Sequence, residues 1–193
     1  MLNPGLKPGE EIYMNRDNKD TALVIIDIQV GMMEENPLSP QVLANIQALL
    51  AQARNNDVPV IYVQHDGPKG HGLEVGSARW QIHPSIAPRT GDLVVHKRAS
   101  DAFYQTELEQ ELSKKKIKHL IVAGGQTEYC VDTTVRRATT LGYDITLAGD
   151  AHITFDYEMW SALQVIALYN EILDGFRTDT YTILVEQTSK ITF

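Results

Sequence analysis

The stretch KHLIVAGGQTEYCVDTTVRRATTLGYDITLAG, residues 118–149, contains a strand pattern, a helix pattern and a second strand pattern in succession. Its first part, KHLIVAG (118–124), is a short continuous apolar run, which is typical of a strand buried on both faces. After a glycine pair, apolar residues recur at helical spacing, and Gly142 stands where helices commonly end. YDITLAG (143–149) then returns to a strand pattern. Because two strands joined by a helix usually pair in parallel, the stretch predicts an α/β fold.

The same alternation of strands and helices continues on both sides of this stretch. Further strands are predicted at TALVIID (21–27), VPVIYVQ (58–64), DLVVHK (92–97) and TYTILVE (180–186), and further helices after Ser39 and over about 105–116 and 158–173. Ser39 is interpreted as an N-cap, with Pro40 at the first helical position. The pattern favours a three-layer α/β/α fold with a mostly parallel central sheet. We expect one domain over residues 1–193, beginning with an irregular segment over 1–20.

Composition excludes several classes of function. The chain is 43% hydrophobic with a formal net charge of −8, and its acidic residues are spread without a block of either sign. This predicts no nucleic-acid partner and no membrane association. The longest apolar run, ALVII, is too short to cross a bilayer. No glycine-rich nucleotide-binding loop follows any strand, so a nucleotide cofactor is not predicted.

The chain has a single cysteine, Cys130. One cysteine excludes an intramolecular disulfide framework and a zinc site built from several thiolates. The first twenty residues are polar and broken by proline and glycine, and they lack the apolar stretch of a signal peptide. Together with the free thiol, this predicts a cytoplasmic protein.

Three reactive side chains are expected at one edge of the sheet. Asp27 ends the first predicted strand, Lys97 ends the third, and Cys130 follows the fourth. Ligands of such sheets bind beyond the carboxyl ends of the strands. An acid, an amine and a thiol are therefore predicted to converge, although they are far apart in sequence.

This combination suits nucleophilic catalysis. A helix N-terminus and a nearby ammonium from Lys97 would lower the pKa of the Cys130 thiol. Asp27 would accept the thiol proton and return it to a leaving amine. Backbone N–H groups between Gln126 and Cys130 would form an oxyanion hole. The alternative, a small buried cysteine with no chemical role, stays open at this point.

The chain resembles the isochorismatase-like cysteine hydrolases, a family that includes nicotinamidases and other small-amide hydrolases. The resemblance covers roughly residues 20–187 and rests on four motifs, which are VIIDIQ, VVHKRASDAF, GGQTEYCVDTTVRRA and LAGDAHITFD. It implies an Asp-Lys-Cys triad at Asp27, Lys97 and Cys130, a thioester intermediate and no cofactor. It also implies a non-proline cis peptide bond at Gly125–Gln126, which would direct N–H groups at the oxyanion.

The chain departs from this family's patterns in two respects. Nicotinamidases hold a metal through an Asp-x-His pair, but the corresponding segment here, YVQHDGPKGHG, has none. His65, Asp66 and His71 are the conceivable ligands there, and no metal is predicted. Isochorismatases proper resemble this fold, lack the cysteine and cleave a vinyl ether. The presence of Cys130 therefore favours C–N bond hydrolysis.

Other residues are candidates for the pocket. Gln29 would contact substrate or brace the triad, Trp80 would form a wall, and Phe103 would line the site or its floor. Gln126 is a candidate substrate contact. Glu128 and Asp132 are interpreted as structural, and His152 as a capping or supporting residue after the fifth strand.

Three further expectations concern function and assembly. The leading hypothesis is a cysteine hydrolase of a small amide or lactam. The alternatives are a vinyl-ether hydrolase, a non-catalytic binding protein of the same fold, and a redox-sensing thiol. The helix over 158–173 is apolar around much of its circumference, which suggests a subunit interface. Because members of the family that the chain resembles are often oligomers, the resemblance implies a homo-oligomer, either a dimer or a tetramer.

Overall fold

A computed structural model describes residues 18–193. In chain order it contains β1 (Thr21–Ile26), α1 (Val30–Met33), α2 (Ser39–Asn55), β2 (Val60–His65), β3 (Leu93–Lys97), α3 (Leu108–Lys114), β4 (His119–Gly125), α4 (Asp132–Leu141), β5 (Asp144–Ile153), α5 (Ala162–Leu173) and β6 (Ile183–Glu186). A π-helical turn over Thr127–Val131 leads into α4. The predicted irregular segment over residues 1–20 lies mostly outside the described residues.

The six strands form one parallel sheet in the order β3-β2-β1-β4-β5-β6. Alternate residues of each strand face opposite sides, so both faces require a cover. Apolar residues of α2, such as Ile46 and Leu49, pack on one face. Residues of α3, α4 and α5, such as Leu112 and Val135, pack on the other. This arrangement confirms the predicted three-layer α/β/α fold.

Several predicted boundaries differ from the structure. Ser39 was expected as an N-cap, but α2 has Leu38 at that position, and the Ser39 hydroxyl instead donates to the Met33 carbonyl at 2.7 Å. The helix predicted from 105 begins at Leu108, because Gln105 has a φ of 56° and cannot belong to a right-handed helix. The short helix α1 was not predicted.

Two later elements also differ from the prediction. The helix predicted from 158 starts at Ala162, where Ser161 and Gln164 form a capping box. Strand β5 is longer than expected and includes His152, which was predicted to follow it. The pairing between β4 and β5 shifts register between Val122 and Gly124, and this irregularity places the end of β4 beside His152.

No helix within residues 18–193 is both long and apolar enough to span a bilayer.

Candidate active site

Asp27, Lys97 and Cys130 come together at the carboxyl edge of the sheet. Asp27 follows β1, Lys97 is the last residue of β3, and Cys130 lies in the turn after β4. Strand β2 separates β3 from β1. The lysine side chain therefore has to reach across a neighbouring strand, and its length makes this possible.

The Lys97 ammonium is the centre of the group. Its Nζ lies 2.7 Å from Asp27 Oδ2 and 3.1 Å from Cys130 Sγ, and it donates to the Ala99 carbonyl at 2.9 Å. The Lys97 side chain is fully buried and that of Asp27 is 2% exposed. The ion pair is thus shielded from water, where Coulombic interactions are stronger than at a surface.

Asp27 occupies an unusual backbone conformation. Its φ is 51°, in the left-handed region that aspartate tolerates better than most residues. Its N–H donates to the Val63 carbonyl at 2.8 Å, which continues the contact with β2. Its second carboxylate oxygen, Oδ1, is buried and has no hydrogen-bond partner among the described residues. A buried carboxylate oxygen without a partner is costly, so Oδ1 is available to accept a proton or a substrate hydrogen.

The surroundings of the thiol raise its pKa, which favours the protonated form in the resting site. Burial and the Asp27 carboxylate raise the pKa of Cys130 to about 11, and the opposing effect of the Lys97 ammonium does not offset them. The sequence-based prediction of a lowered thiol pKa is therefore wrong. Burial would lower the pKa of Lys97, but the carboxylate and the sulfur raise it above its usual value. The arrangement is a charged Lys–Asp pair beside a neutral thiol, which needs a base for activation.

The turn that carries the thiol is tightly packed against β1. A Cβ atom at Gly124 would lie 2.2 Å from the Ile26 carbonyl oxygen, so only glycine permits this approach. The next peptide bond, Gly125–Gln126, is cis. The N–H of Tyr129 donates to the Gln126 carbonyl at 3.1 Å. Among the N–H groups proposed for the oxyanion hole, that of Tyr129 is therefore already engaged.

The Gln126 side chain belongs to a polar cluster beside this turn. Its Nε2 donates to Glu128 Oε1 at 2.5 Å and to Thr154 Oγ1 at 3.2 Å. The same Glu128 oxygen accepts hydrogen bonds from Thr154 at 2.8 Å and from Tyr157. Glu128 thus joins the thiol turn to the segment after β5.

Asp132 lies apart from this cluster and pairs with Arg136 at 2.7 Å.

Gln29 and Trp80 lie on the β2 side of the site. Gln29 is completely buried, and its side-chain amide makes two hydrogen bonds with the backbone of His65. Gln29 Nε2 donates to the His65 carbonyl at 3.1 Å, and Gln29 Oε1 accepts from the His65 N–H at 2.9 Å. It also donates to the Trp80 carbonyl at 2.7 Å. The Trp80 indole donates to Asp66 at 2.9 Å and stacks on His96. Of the two roles expected for Gln29, its contacts favour the bracing one.

Phe103 and His152 have internal partners. The Phe103 ring is 8% exposed and stacks on Tyr143, the residue that precedes β5, within the hydrophobic core. Cys130 packs against the same core cluster, and the role of Phe103 in lining the site stays a prediction. His152 is buried between the Thr127 hydroxyl at 2.9 Å and Asn170 at 2.8 Å. Burial lowers its pKa, and its contacts are those of a supporting residue.

The segment considered for a metal has other bonds. His65 Nδ1 lies 3.3 Å from Lys97 Nζ, and His71 Nδ1 accepts the Leu73 N–H at 3.0 Å. Asp66 is bonded to the Trp80 indole and to a histidine of β3. Residues 18–193 contain no cluster of three or more His, Cys, Asp or Glu side chains suited to a metal ion.

Comparison with known families finds a match over most of the chain. The model of the Isochorismatase domain matches residues 21–172, from the start of β1 almost to the end of α5. The chain belongs to the isochorismatase family.

Members of the isochorismatase family that resemble the chain include named hydrolases. A streptothricin hydrolase of Streptomyces noursei is 33% identical over 138 residues, which are 70% of this chain and 50% of that protein. Nicotinamidase 3 of Arabidopsis thaliana is 30% identical over 160 residues, 76% of this chain and 79% of that protein. The structure of an isochorismatase from Pseudomonas putida superposes with a TM-score of 0.82 at 29% identity, covering 91% of this chain and 92% of that one. The chain spans about half the length of the streptothricin hydrolase.

One neighbour of the isochorismatase-family site was not anticipated in its observed role. His65 was considered only as a metal ligand, whereas its ring contacts the Lys97 ammonium. It is the last residue of β2, which lies between the strands that carry Asp27 and Lys97. The strand-end rule applied to Asp27 and Lys97 would have selected it as well.

Proposed function

We propose that the protein is a cysteine hydrolase that cleaves a C–N bond of a small amide or lactam through a thioester on Cys130. The contact of one buried ammonium, that of Lys97, with both the Asp27 carboxylate and the Cys130 sulfur carries this proposal. This group supplies a nucleophile, a base and a stabilising cation within one site.

The named relatives support a hydrolase and, in one case, an amide substrate. A streptothricin hydrolase and a nicotinamidase are both about one-third identical to the chain over most of its length. The two names give different substrates, and the chain spans only half of the streptothricin hydrolase. We therefore propose the bond type and leave the substrate to experiment.

In the first half of the reaction, Cys130 attacks the substrate carbonyl carbon. The thiol proton passes to Asp27 Oδ1, the carboxylate oxygen that has no hydrogen-bond partner within residues 18–193, as the C–S bond forms. Negative charge develops on the carbonyl oxygen, and the N–H groups of Gln126 and Cys130 are the proposed donors to it. The C–N bond then breaks, the nitrogen takes the proton from Asp27, and ammonia or an amine leaves a thioester.

In the second half, water attacks the thioester carbon. Asp27 accepts a proton from the water, the C–S bond breaks, and the sulfur regains that proton as the acid leaves. Lys97 remains charged throughout, because the adjacent carboxylate and sulfur raise its pKa. Its role is to hold Asp27 in place and to stabilise negative charge on the sulfur. The route requires only these side chains and water.

An acyl-enzyme is the distinctive intermediate of this route. We expect Cys130 to carry an acyl group after rapid acid quenching of turnover with nicotinamide, 2-pyrrolidinone or streptothricin as candidate substrates. Peptide mass spectrometry measures the adduct, and a coupled assay measures release of ammonia or amine. Bond cleavage without an adduct, and unchanged by iodoacetamide treatment, would contradict the thioester and favour the vinyl-ether type of site. The absence of any cleavage across a wide amide panel would favour a binding protein or a redox-sensing thiol.

We also propose that the chain forms a homo-oligomer through α5 and the segment before it. Large apolar side chains are exposed there, including Met159, Trp160, Leu163, Leu168 and Ile172. Exposed apolar groups of this density commonly mark contacts between proteins. Light scattering is expected to give at least twice the chain mass, and Leu168→Glu is expected to lower it. A monomeric wild type would end this proposal. The cytoplasmic location and the absence of a nucleic-acid or membrane partner stay predictions.

A further inference from the structure

The Lys97 ammonium has more acceptors around it than hydrogens. Its three hydrogens face four atoms, which are Asp27 Oδ2 at 2.7 Å, the Ala99 carbonyl oxygen at 2.9 Å, Cys130 Sγ at 3.1 Å and His65 Nδ1 at 3.3 Å. The two oxygens are the stronger acceptors and the closer ones. The sulfur and the imidazole nitrogen therefore compete for the third hydrogen.

The contact with Lys97 determines the protonation of His65. An ammonium group has no lone pair, so it can only donate, and Nδ1 must carry its own lone pair to accept. The ring is then neutral, with its proton on Nε2. Burial first, and the Lys97 charge second, lower the pKa of His65, while Asp27 and Asp66 oppose this and His71 adds to it. Burial and the Lys97 charge outweigh the two carboxylates, so the net effect favours the neutral ring.

The position of His65 is fixed through its backbone. The buried amide of Gln29 bonds both the N–H and the carbonyl of His65, as a neighbouring strand would. At the same strand end, the N–H of Asp66 donates to the Lys97 carbonyl at 2.8 Å. The backbone that carries the ring is therefore held beside the ammonium.

We propose that His65 is a positioning residue. Its Nδ1 accepts a hydrogen bond from the third N–H of Lys97 and so keeps Cys130 a neutral thiol until substrate binds. Although Sγ lies closer to Nζ, at 3.1 Å, than Nδ1 does, at 3.3 Å, a neutral thiol is a weaker acceptor than an imidazole nitrogen, whereas a thiolate is a stronger one. As the thiol proton moves to Asp27, the third Lys97 N–H turns its hydrogen bond from His65 Nδ1 to the sulfur and stays on the ammonium. His65 thereby protects a lone cysteine from alkylation and oxidation at rest, without removing the cation needed for attack. The role in turnover rests on the proposed function, but the effect on the thiol does not.

Replacing the acceptor tests this inference. His65→Leu frees the third hydrogen for the sulfur, so we expect iodoacetamide to alkylate Cys130 at least about tenfold faster at pH 7.5, the change that one pKa unit produces. His65→Asn keeps an acceptor near the Nδ1 position, and its rate should stay within about threefold of wild type. The pH dependence of the alkylation rate shows whether the thiol pKa itself has moved. Cys130 is the only cysteine, so the signal has one source.

A double-mutant cycle with Lys97→Met separates this effect from simple exposure of the sulfur. In the Lys97→Met background, His65→Leu should change the alkylation rate by less than about twofold, because the competing hydrogen is gone. An equal acceleration in both backgrounds, or none in the wild-type background, would overturn the proposal.

Imidazole ¹⁵N NMR of the wild-type protein gives a second test that needs no variant at position 65 to fold. We expect His65 to be neutral at pH 7.5 with its proton on Nε2, and an Nδ1-protonated or charged ring would refute the proposal. Neither experiment requires turnover. A failure here therefore leaves the cysteine hydrolase intact, and a failure to find any substrate leaves this inference intact.

Discussion

Cys130→Ala is expected to lower the rate of C–N hydrolysis by at least about 10⁴-fold, because the substitution removes the only atom that can form the thioester. Asp27 and Lys97 would remain paired at 2.7 Å, so water alone would have to attack the amide. The half-buried sulfur contributes little packing, and the free energy of unfolding should change by no more than about 1 kcal/mol. A coupled ammonia assay and urea denaturation measure the two quantities on one preparation.

The matched variant for Cys130→Ala is Asp27→Asn. Asparagine tolerates the φ of 51° at this position and keeps an oxygen for Lys97, but it cannot accept the thiol proton. Both variants should be inactive if the thioester route is correct. Turnover that survives Cys130→Ala but not Asp27→Asn would identify a vinyl-ether type of mechanism, in which a carboxylate acts without the thiol.

Lys97→Met is expected to have the largest effect on stability. It leaves the Asp27 carboxylate buried without its cation, and breaking a buried ion pair in this way costs about 3–5 kcal/mol. Hydrolysis should fall by at least about 10²-fold as well, because the sulfur loses the ammonium 3.1 Å away. Urea denaturation and steady-state kinetics measure the two losses.

Two controls make the result for Lys97→Met specific. Adding Asp27→Asn should recover much of the lost stability and none of the activity, because the buried charge is gone while the base is missing. Lys114→Met removes an exposed lysine paired with Glu111 and should change stability by no more than about 0.5 kcal/mol. Wild-type stability of Lys97→Met would mean that Asp27 is neutral in the resting protein, contrary to the proposed ion pair.

Local sequence patterns were sufficient for the layers of the fold. The stretch over 118–149 predicts strand, turn, helix and strand, and the structure has β4, the thiol turn, α4 and β5 there. The predicted ends of helices were wrong where the backbone conformation of a single residue overrides the helical pattern of the sequence. The left-handed Gln105, for example, delays the start of α3. Such a conformation depends on the packing of the whole connection, so a window of sequence does not reveal it.

The sequence also placed the acid, the amine and the thiol at one edge, because parallel strands all end on the same side of a sheet. What it could not provide is the order of the strands. That order sets β2 between β1 and β3, and it therefore brings His65 against Lys97. The same strand order places the His65 backbone beside Gln29, so the Gln29 side chain bonds that backbone instead of a ligand.

The charge state of the thiol was decided by the tertiary structure alone. From the sequence, a helix N-terminus and a lysine predict a thiolate, whereas the folded site buries the sulfur beside Asp27 and raises the pKa of Cys130 to about 11. Residue types and spacing determine which groups reach the same edge of the sheet. Burial and distances of about 3 Å determine their protonation, because the cost of a charge depends on the solvent and partners that the fold leaves around it.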